Sequence, residues 1–182
     1  MALFETPIGL CGIAWCDGAL AGLQLPELDL AATIRRLERR FPGMSVAEPP
    51  AWVAAAIARI ASMLHGEPDD LADLPLDFGR VGAFEASVYR AAQEIPPGRT
   101  LTYGEVASRI GDARQARAVG QALGRNPWPI VVPCHRVTGA GGHTGGFSAS
   151  GGRSTKLRLL ELEGALDAEH LPLFARPGAS GS

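Results

Sequence analysis

Residues 102–124 read TYGEVASRIGDARQARAVGQALG. Thr102 and Glu105 have the Thr-x-x-Glu spacing of a capping box, which predicts that a helix starts at this point. We expect this helix to end near Gly111 and a second helix to span about residues 113–124. Two short helices joined by a tight turn are typical of helix-turn-helix units, although many helical pairs with this spacing bind nothing.

The second of these helices carries small residues at every fourth position. We expect Val119, Ala122 and Leu123 to supply its buried side. Glycine inside a helix costs about 1 kcal/mol relative to alanine, so this stripe needs a packing or functional reason. One interpretation is close packing against another helix. The other is close approach to a partner, with Arg117 projecting into a minor groove roughly 6 Å wide. The stripe consists of Ala116, Gly120 and Gly124.

Charge is distributed very unevenly along the chain. The net charge is only −2, yet residues 99–158 contain nine Lys and Arg against two Asp and Glu. A basic block within a mildly acidic chain concentrates positive potential on one region, as binding to a phosphate backbone requires. The alternative is a solvated helical face that acidic neighbours balance in the fold.

A candidate nucleophile lies downstream, where residues 130–136 read IVVPCHR. A thiol reacts well only as the thiolate, and we expect the basic neighbours His135 and Arg136 to lower the pKa of Cys134. The alternative is an inert buried cysteine beside a surface histidine. Cys11 and Cys16 have no matched His or Cys partner, so we expect them to fill the core and to bind no metal.

The remaining sequence predicts a mixed α/β chain in two domains. The chain has 182 residues, of which 46% are hydrophobic, and it contains no apolar run long enough for a membrane helix. The first residues do not resemble a signal peptide, and the odd cysteine count favours a reducing cytoplasm. We place a small α/β domain at 1–75, a helical domain at 80–166 and a tail at 167–182. The first domain is predicted to contain a hairpin over 8–25, which turns at Asp17-Gly18, and two helices over 30–41 and 51–64. A linker over 66–80 follows, and then a helix over 83–95.

Two motifs in the helical domain carry a resemblance to a known family. Asn126 lies eight residues before the cysteine of Pro-Cys-His-Arg, and Arg-Ala-Val-Gly occupies 117–120. This pattern closely resembles the O6-alkylguanine-DNA alkyltransferases, also called methylated-DNA–protein-cysteine methyltransferases. The resemblance is strongest over 84–164 and weaker over 6–27. It implies a ribonuclease H-like N-terminal domain and a mainly α, winged helix-turn-helix-like C-terminal domain.

The resemblance also implies a reaction. An alkyl group would move irreversibly from O6-alkylguanine in double-stranded DNA to the cysteine, after the damaged nucleotide has rotated out of the duplex. O4-alkylthymine is a second candidate substrate. A monomer that needs no cofactor and no metal is expected. The implied catalytic residues are Cys134, His135, Glu163, Tyr103 and Asn126. The implied DNA-binding residues are Arg117, Ala116, Gly120, Gly124 and Arg136. The implied substrate pocket consists of Tyr103, Val137, Phe147, Ser148 and Lys156.

Specific roles follow from the same resemblance. His135 would take the thiol proton through a water while Glu163 orients the imidazole, and Tyr103 would protonate N3 of the leaving guanine. Asn126 would brace the segment before the cysteine. Arg117 would fill the gap that the rotated nucleotide leaves.

One segment departs from the family pattern. Residues 145–152 are two residues longer than the family's pocket loop and have Phe147 at its tyrosine position, which leaves the substrate range open. Lys156 is expected near the cysteine loop, with a plain surface lysine as the alternative.

The competing functions are a non-catalytic lesion-binding protein, a helix-turn-helix regulator and a cysteine hydrolase. The first lacks the nucleophile, the second does not explain Asn126 and Glu163, and the third needs an oxyanion site for which the sequence has no signal.

Overall fold

The computed structural model describes residues 1–142, 144 and 152–165 of the chain. It has a mixed α/β architecture, which confirms the class predicted from the sequence. The strands are β1 (Ala2–Phe4), β2 (Cys11–Cys16), β3 (Ala19–Gln24), β4 (Leu101–Thr102) and β5 (Val137–Thr138). The helices are α1 (Leu30–Arg40), α2 (Ala51–Leu64), α3 (Ala83–Gln93), α4 (Tyr103–Arg109), α5 (Ala116–Gly124) and α6 (Arg153–Leu162). Within the described residues, every helix is too short or too polar to span a membrane.

The N-terminal half is built on an antiparallel sheet in the order β1-β2-β3. The predicted hairpin is confirmed, since β2 and β3 pair directly across the turn at Asp17 and Gly18. Both turn residues have positive φ angles, 40° and 80°, which is the backbone that a two-residue type I′ hairpin requires and that Asp-Gly favours. Strand β1, which the sequence analysis did not predict, extends the sheet.

The two helices of this half occur where they were predicted, and α2 has the predicted bounds. The helical spacing of Leu30, Ile34 and Leu37 predicts that these residues form the buried face of α1. The same prediction places Arg35, Arg36, Arg39 and Arg40 on the solvent face, and it is partly wrong. Leu30, expected to be buried, is 55% exposed at the first helical position, and the residues that α1 buries are Thr33 and Leu37. Arg40, expected to face solvent, is half-buried because it lies three residues after Leu37 on the same face.

The predicted linker lies against the N-terminal sheet. Leu76 forms a parallel bridge with Leu20 of β3, and the amide of Asp77 donates to the Leu20 carbonyl at 3.0 Å. Buried apolar side chains from both sides of this segment, such as Ile13 and Val88, lie in one continuous cluster. The division into domains at 1–75 and 80–166 therefore stays a prediction.

The helical pair of the C-terminal half has the predicted capping box. The Thr102 hydroxyl accepts from the Glu105 amide at 3.2 Å, and the Glu105 carboxylate accepts from the Thr102 amide at 2.6 Å. The predicted second helix is divided into a 3₁₀ turn, Ala113–Gln115, and α5. The short parallel pair β4–β5 then joins the start of α4 to the segment after Cys134.

The segment between α5 and Cys134 is anchored in the core by an aromatic side chain. Trp128 is fully buried, its ring centroid lies 5.2 Å from that of Phe78 and 5.9 Å from that of Tyr89, and its Nε1 donates to the Leu20 carbonyl at 2.7 Å. Two residues later Ile130 has φ of 78°, an unusual conformation for a β-branched residue. Tertiary contacts therefore hold this segment in a conformation that its local sequence disfavours.

The capping box gives a testable prediction for the start of α4. Replacing Thr102 by Ala leaves the Glu105 amide without its side-chain acceptor, so we expect the free energy of unfolding to fall by about 1 kcal/mol. Urea denaturation monitored by circular dichroism measures this change. Thr100→Ala is the control, since Thr100 is exposed two residues earlier and its loss should change stability by less than about 0.5 kcal/mol. Equal effects of the two substitutions would contradict the assignment.

Candidate active site

Cys134 starts a 3₁₀ turn, Cys134–Arg136, that follows Pro133. Proline cannot donate a backbone hydrogen bond, and the residues before it form a turn between an isolated bridge of Pro129 and Val132. Cys134 is buried, with 8% of the residue exposed. Within the described residues, Cys134 and the two other cysteines are all free thiols.

His135 and Glu163 are brought together across 28 residues of sequence. His135 Nε2 lies 2.8 Å from Glu163 Oε1, and the exposed fractions of the two side chains are 0% and 4%. Burial lowers the pKa of His135, so the imidazole is neutral near pH 7 and its Nε2–H donates to the carboxylate. His135 Nδ1 is buried and has no partner in the part of the chain that the structure describes. The geometry therefore presents a lone pair that can accept a proton.

Arg136 was predicted to bind DNA, and that prediction is wrong. The side chain is 1% exposed, and its guanidinium donates to both oxygens of Glu163, at 2.9 and 2.8 Å, and to the Ile95 carbonyl at 2.6 Å. A guanidinium buried in this way is not available to a phosphate. It instead fixes the carboxylate that orients His135, and the two partners hold the pKa of Glu163 at about 2 against the effect of burial.

The expectation that basic neighbours lower the pKa of Cys134 was also wrong in its net direction. Burial raises this pKa above the ordinary value of 9.0, while the Asn126 side chain and the charge of Lys156 only partly oppose that effect. The charge of Arg136 is compensated by Glu163. The thiol is consequently protonated near neutral pH, and it needs a base to become a nucleophile.

Two of the predicted pocket residues, Tyr103 and Val137, lie around the buried cation of a third, Lys156. Lys156 is fully buried, which excludes the surface-lysine alternative, and its Nζ donates to the Val137 carbonyl at 2.6 Å. The same Nζ lies 5.9 Å from the centroid of the Tyr103 ring. Burial lowers the pKa of Lys156 to about 8 and raises that of Tyr103, so the lysine is mostly charged and the tyrosine is a neutral phenol at pH 7.

Asn126 braces the segment before the cysteine, as the family resemblance implies. Its Nδ2 donates to the Val132 carbonyl at 2.8 Å, and its Oδ1 accepts from the Trp128 amide at 2.9 Å. These two bonds close the ends of a short loop onto one amide side chain. The Asn126 side chain also lowers the pKa of Cys134 and thereby favours the thiolate, although burial outweighs this effect.

The small-residue stripe of α5 is not explained by tight packing within the chain. A Cβ placed on Gly124 would have no heavy atom within 4 Å among the described residues, and one on Gly120 would make only ordinary contact, at 3.7 Å, with the Tyr103 ring. Ala116 is half-buried on the same stripe, and Arg117 beside it is exposed. The structure thus leaves this helix face open to a partner.

Two predicted pocket residues, Phe147 and Ser148, lie outside the described residues, as does the predicted tail over 167–182. Within the described residues no cluster of His, Cys, Asp or Glu could hold a metal ion. Cys11 is fully buried in the core cluster, whereas Cys16 is only partly buried and donates to Asp77 at 3.3 Å.

Comparisons with known proteins agree with this arrangement. Residues 83–165 match the family model described as the DNA-binding domain of 6-O-methylguanine DNA methyltransferase. A methylated-DNA–protein-cysteine methyltransferase of Mycolicibacterium paratuberculosis is 39% identical over 170 residues, which cover 93% of this chain and 95% of the relative. The chain belongs to the methylated-DNA–protein-cysteine methyltransferase family.

Solved structures of this family have the same fold. Mycobacterium tuberculosis OGT in complex with DNA superimposes with a TM-score of 0.73 and 33% identity, covering 90% of this chain and 92% of that one. The O6-methylguanine-DNA methyltransferase from Pyrococcus kodakaraensis superimposes with a TM-score of 0.71 and 29% identity, covering 90% and 98%. In a methyltransferase of this family a cysteine of the protein is the methyl acceptor, and Cys134 is the cysteine that the site surrounds with polar groups.

Arg40 is a residue near the site that the sequence analysis missed. Its Nη2 donates to the Asn126 carbonyl at 3.3 Å, although the two residues are 86 positions apart. Its three-residue spacing from Leu37 was a signal in the sequence that it lies on the buried face of α1. Nothing in the sequence indicated which group it would contact.

The thiol of Cys134 provides the prediction from this site. We expect its pKa to lie above that of an ordinary cysteine, because burial outweighs the effects of Asn126 and Lys156. The thiolate absorbance near 240 nm, measured as the difference between the wild-type chain and Cys134→Ser, follows this one group. An inflection below the range of an ordinary cysteine would contradict the balance of effects described here.

Proposed function

We propose that this methyltransferase repairs DNA directly, by transferring an alkyl group from O6 of guanine in double-stranded DNA to Sγ of Cys134. The observation that carries the proposal is the buried arrangement of Cys134, His135 and Glu163, which provide a nucleophile, a base and a carboxylate that orients the base. With one water, residues of the chain supply the nucleophile, the base and the proton donor of the reaction.

The first step activates the thiol. A water between Cys134 and His135 Nδ1 passes the thiol proton to the imidazole, which Glu163 stabilises as it becomes charged. Lys156 lies close enough to favour the thiolate electrostatically. Because the pKa of the thiol is raised at rest, deprotonation is coupled to substrate binding rather than preceding it.

The second step is an in-line displacement. The sulfur forms a bond to the alkyl carbon, the bond between that carbon and O6 breaks, and its electron pair stays on guanine. Tyr103 donates a proton to N3 of the guanine, so the base leaves uncharged. The proton held by His135 then passes through solvent to the tyrosinate, which restores both residues. The product thioether has no ready leaving group, so each molecule reacts once.

DNA binding places the base within reach of the sulfur. The open face of α5, with Ala116, Gly120 and Gly124, enters the minor groove, and Arg117 occupies the gap left by the rotated nucleotide. Phosphate contacts supply most of the affinity, in keeping with the basic block over 99–158.

The finer fold assignment is part of the same proposal. The antiparallel sheet β1-β2-β3 with α1 and α2 supports a ribonuclease H-like N-terminal domain. The pair α4 and α5 supports a winged helix-turn-helix-like second domain, in which the strands β4 and β5 are parallel rather than a hairpin.

Mass spectrometry after mixing with a duplex that contains O6-methylguanine tests the function. We expect a gain of one methyl group on Cys134, at most one per molecule when protein is limiting. Cys134→Ser should abolish transfer and leave the affinity for the duplex within a few-fold, since the sulfur contacts no phosphate. Binding without any mass gain in the wild-type chain would instead identify a non-catalytic lesion-binding protein, and several turnovers per molecule would contradict the irreversible step.

Arg117 can be tested separately from the chemistry. Replacing it by Ala removes the side chain that compensates for base extrusion, a loss of about 1–3 kcal/mol, so we expect repair of duplex DNA to slow by about 5- to 150-fold. The free base O6-benzylguanine needs no extrusion and should react at nearly the wild-type rate. Arg39→Ala is the control, because that side chain is exposed on α1 outside the basic block, and its loss should leave both rates unchanged. Equal losses on duplex and free base would defeat the assignment.

A further inference from the structure

The cysteine loop, residues 126–134, is attached to the N-terminal half by consecutive residues. The three positions that follow Arg125 each form a hydrogen bond to that half of the chain. The pairs are the Asn126 carbonyl with Arg40 Nη2 at 3.3 Å, the Pro127 carbonyl with the Leu23 amide at 2.8 Å, and Trp128 Nε1 with the Leu20 carbonyl at 2.7 Å. In the last two bonds the N-terminal half contributes backbone atoms of β3, whereas in the first it contributes the side chain of Arg40.

Arg40 is held by neutral acceptors alone. Its Nη1 donates to the Leu23 carbonyl and to Gln24 Oε1, both at 3.3 Å, in addition to the bond from Nη2 to Asn126. Within residues 1–142, 144 and 152–165 no carboxylate pairs with this guanidinium, which is half-buried. A planar fork with several donors fixes the relative positions of its acceptors, so Arg40 links the end of β3 to the start of the cysteine loop.

Asn126 transmits this position to the nucleophile. Its carbonyl receives Arg40, while its side chain donates to the Val132 carbonyl, which also accepts from the Cys134 amide at 2.7 Å. A shift of the Asn126 backbone would therefore disturb the hydrogen bonds that position Cys134. Arg40 can therefore influence Cys134 through Asn126 without touching the reacting atoms.

Backbone strain makes this fixation necessary. Ile130 lies midway between Asn126 and Cys134 and has a positive φ, which a β-branched residue keeps only when its surroundings impose it. A strained loop relaxes when one end is released. The bonds at 126–128 hold the near end, and the turn at Cys134 lies at the other.

We propose that Arg40 is a positioning residue for the transfer reaction, through which the N-terminal half sets the reactivity of Cys134. This inference rests on the proposed function. It assigns the N-terminal half a part in the chemistry, carried by its contact with Asn126 rather than by contact with DNA.

The test uses single-turnover kinetics of the full-length chain with O6-benzylguanine. Because each molecule reacts once, the amplitude gives the fraction of folded, competent protein and the rate constant gives the reactivity of Cys134. We expect Arg40→Met to lower the rate constant by about tenfold, the scale of one lost hydrogen bond from a charged donor, at an unchanged amplitude. Arg39→Met, an exposed neighbour in the same turn of α1, should leave both unchanged.

A conservative variant separates positioning from folding. Arg40→Lys keeps the charge and one donor, so its rate constant should lie between those of the wild type and Arg40→Met, and it serves as the test if Arg40→Met does not fold. The proposal would be overturned if Arg40→Met reacted with the wild-type rate constant or lost only amplitude. It would also be overturned if the rate constant of Arg40→Lys were well below that of wild type and no higher than that of Arg40→Met. Failure of the wild-type chain to react at all would overturn the proposed function instead.

Discussion

The buried carboxylate of Glu163 is the constraint on which the arrangement of the site depends. A carboxylate with 4% of its side chain exposed loses nearly all of its hydration, and it stays ionised only where donors replace the water. His135 and Arg136 are those donors, and they come from one 3₁₀ turn. Arg136 also binds the carbonyl at Ile95, so the carboxylate joins the end of α3, the cysteine turn and the end of α6 into one unit.

Charge balance around Cys134 explains why a protonated thiol suits this chemistry. Among the described groups of the site, Glu163 is negative, Arg136 and Lys156 are positive, and Cys134 and His135 are neutral near pH 7. The unit therefore has one more positive than negative charge. In the proposed reaction, this positive charge favours the anion that forms on sulfur when His135 takes the thiol proton. Burial keeps that anion from forming in the absence of a substrate.

Local signals in the sequence were sufficient for the hairpin and for the start of α4, but not for the environment of the charged side chains. Asp17-Gly18 and the capping box at Thr102 act over a few residues, and both features occur where the sequence predicted them. Arg117 and Arg136 belong to the same basic block, yet one is exposed and the other is fully buried. Their difference depends on Glu163, which follows Arg136 by 27 residues and reaches it only through the packing of α6. Long-range pairing of this kind leaves no periodic trace in a sequence.

The stripe of small residues on α5 shows how one sequence pattern can have different physical reasons at neighbouring positions. At Gly120 the open space ends at the Tyr103 ring, so a methyl group would only touch the ring, whereas a larger side chain would press on the proposed proton donor. At Gly124 the described part of the chain offers nothing for a side chain to meet, so no described residue gives that glycine a steric role. The helix proposed to face the duplex also borders the proposed proton donor, because a methyl group at Gly120 would touch the Tyr103 ring at the first position of α4. In the proposed complex, a base turned out of the duplex beside Arg117 would therefore enter a space that the same helix and Tyr103 border.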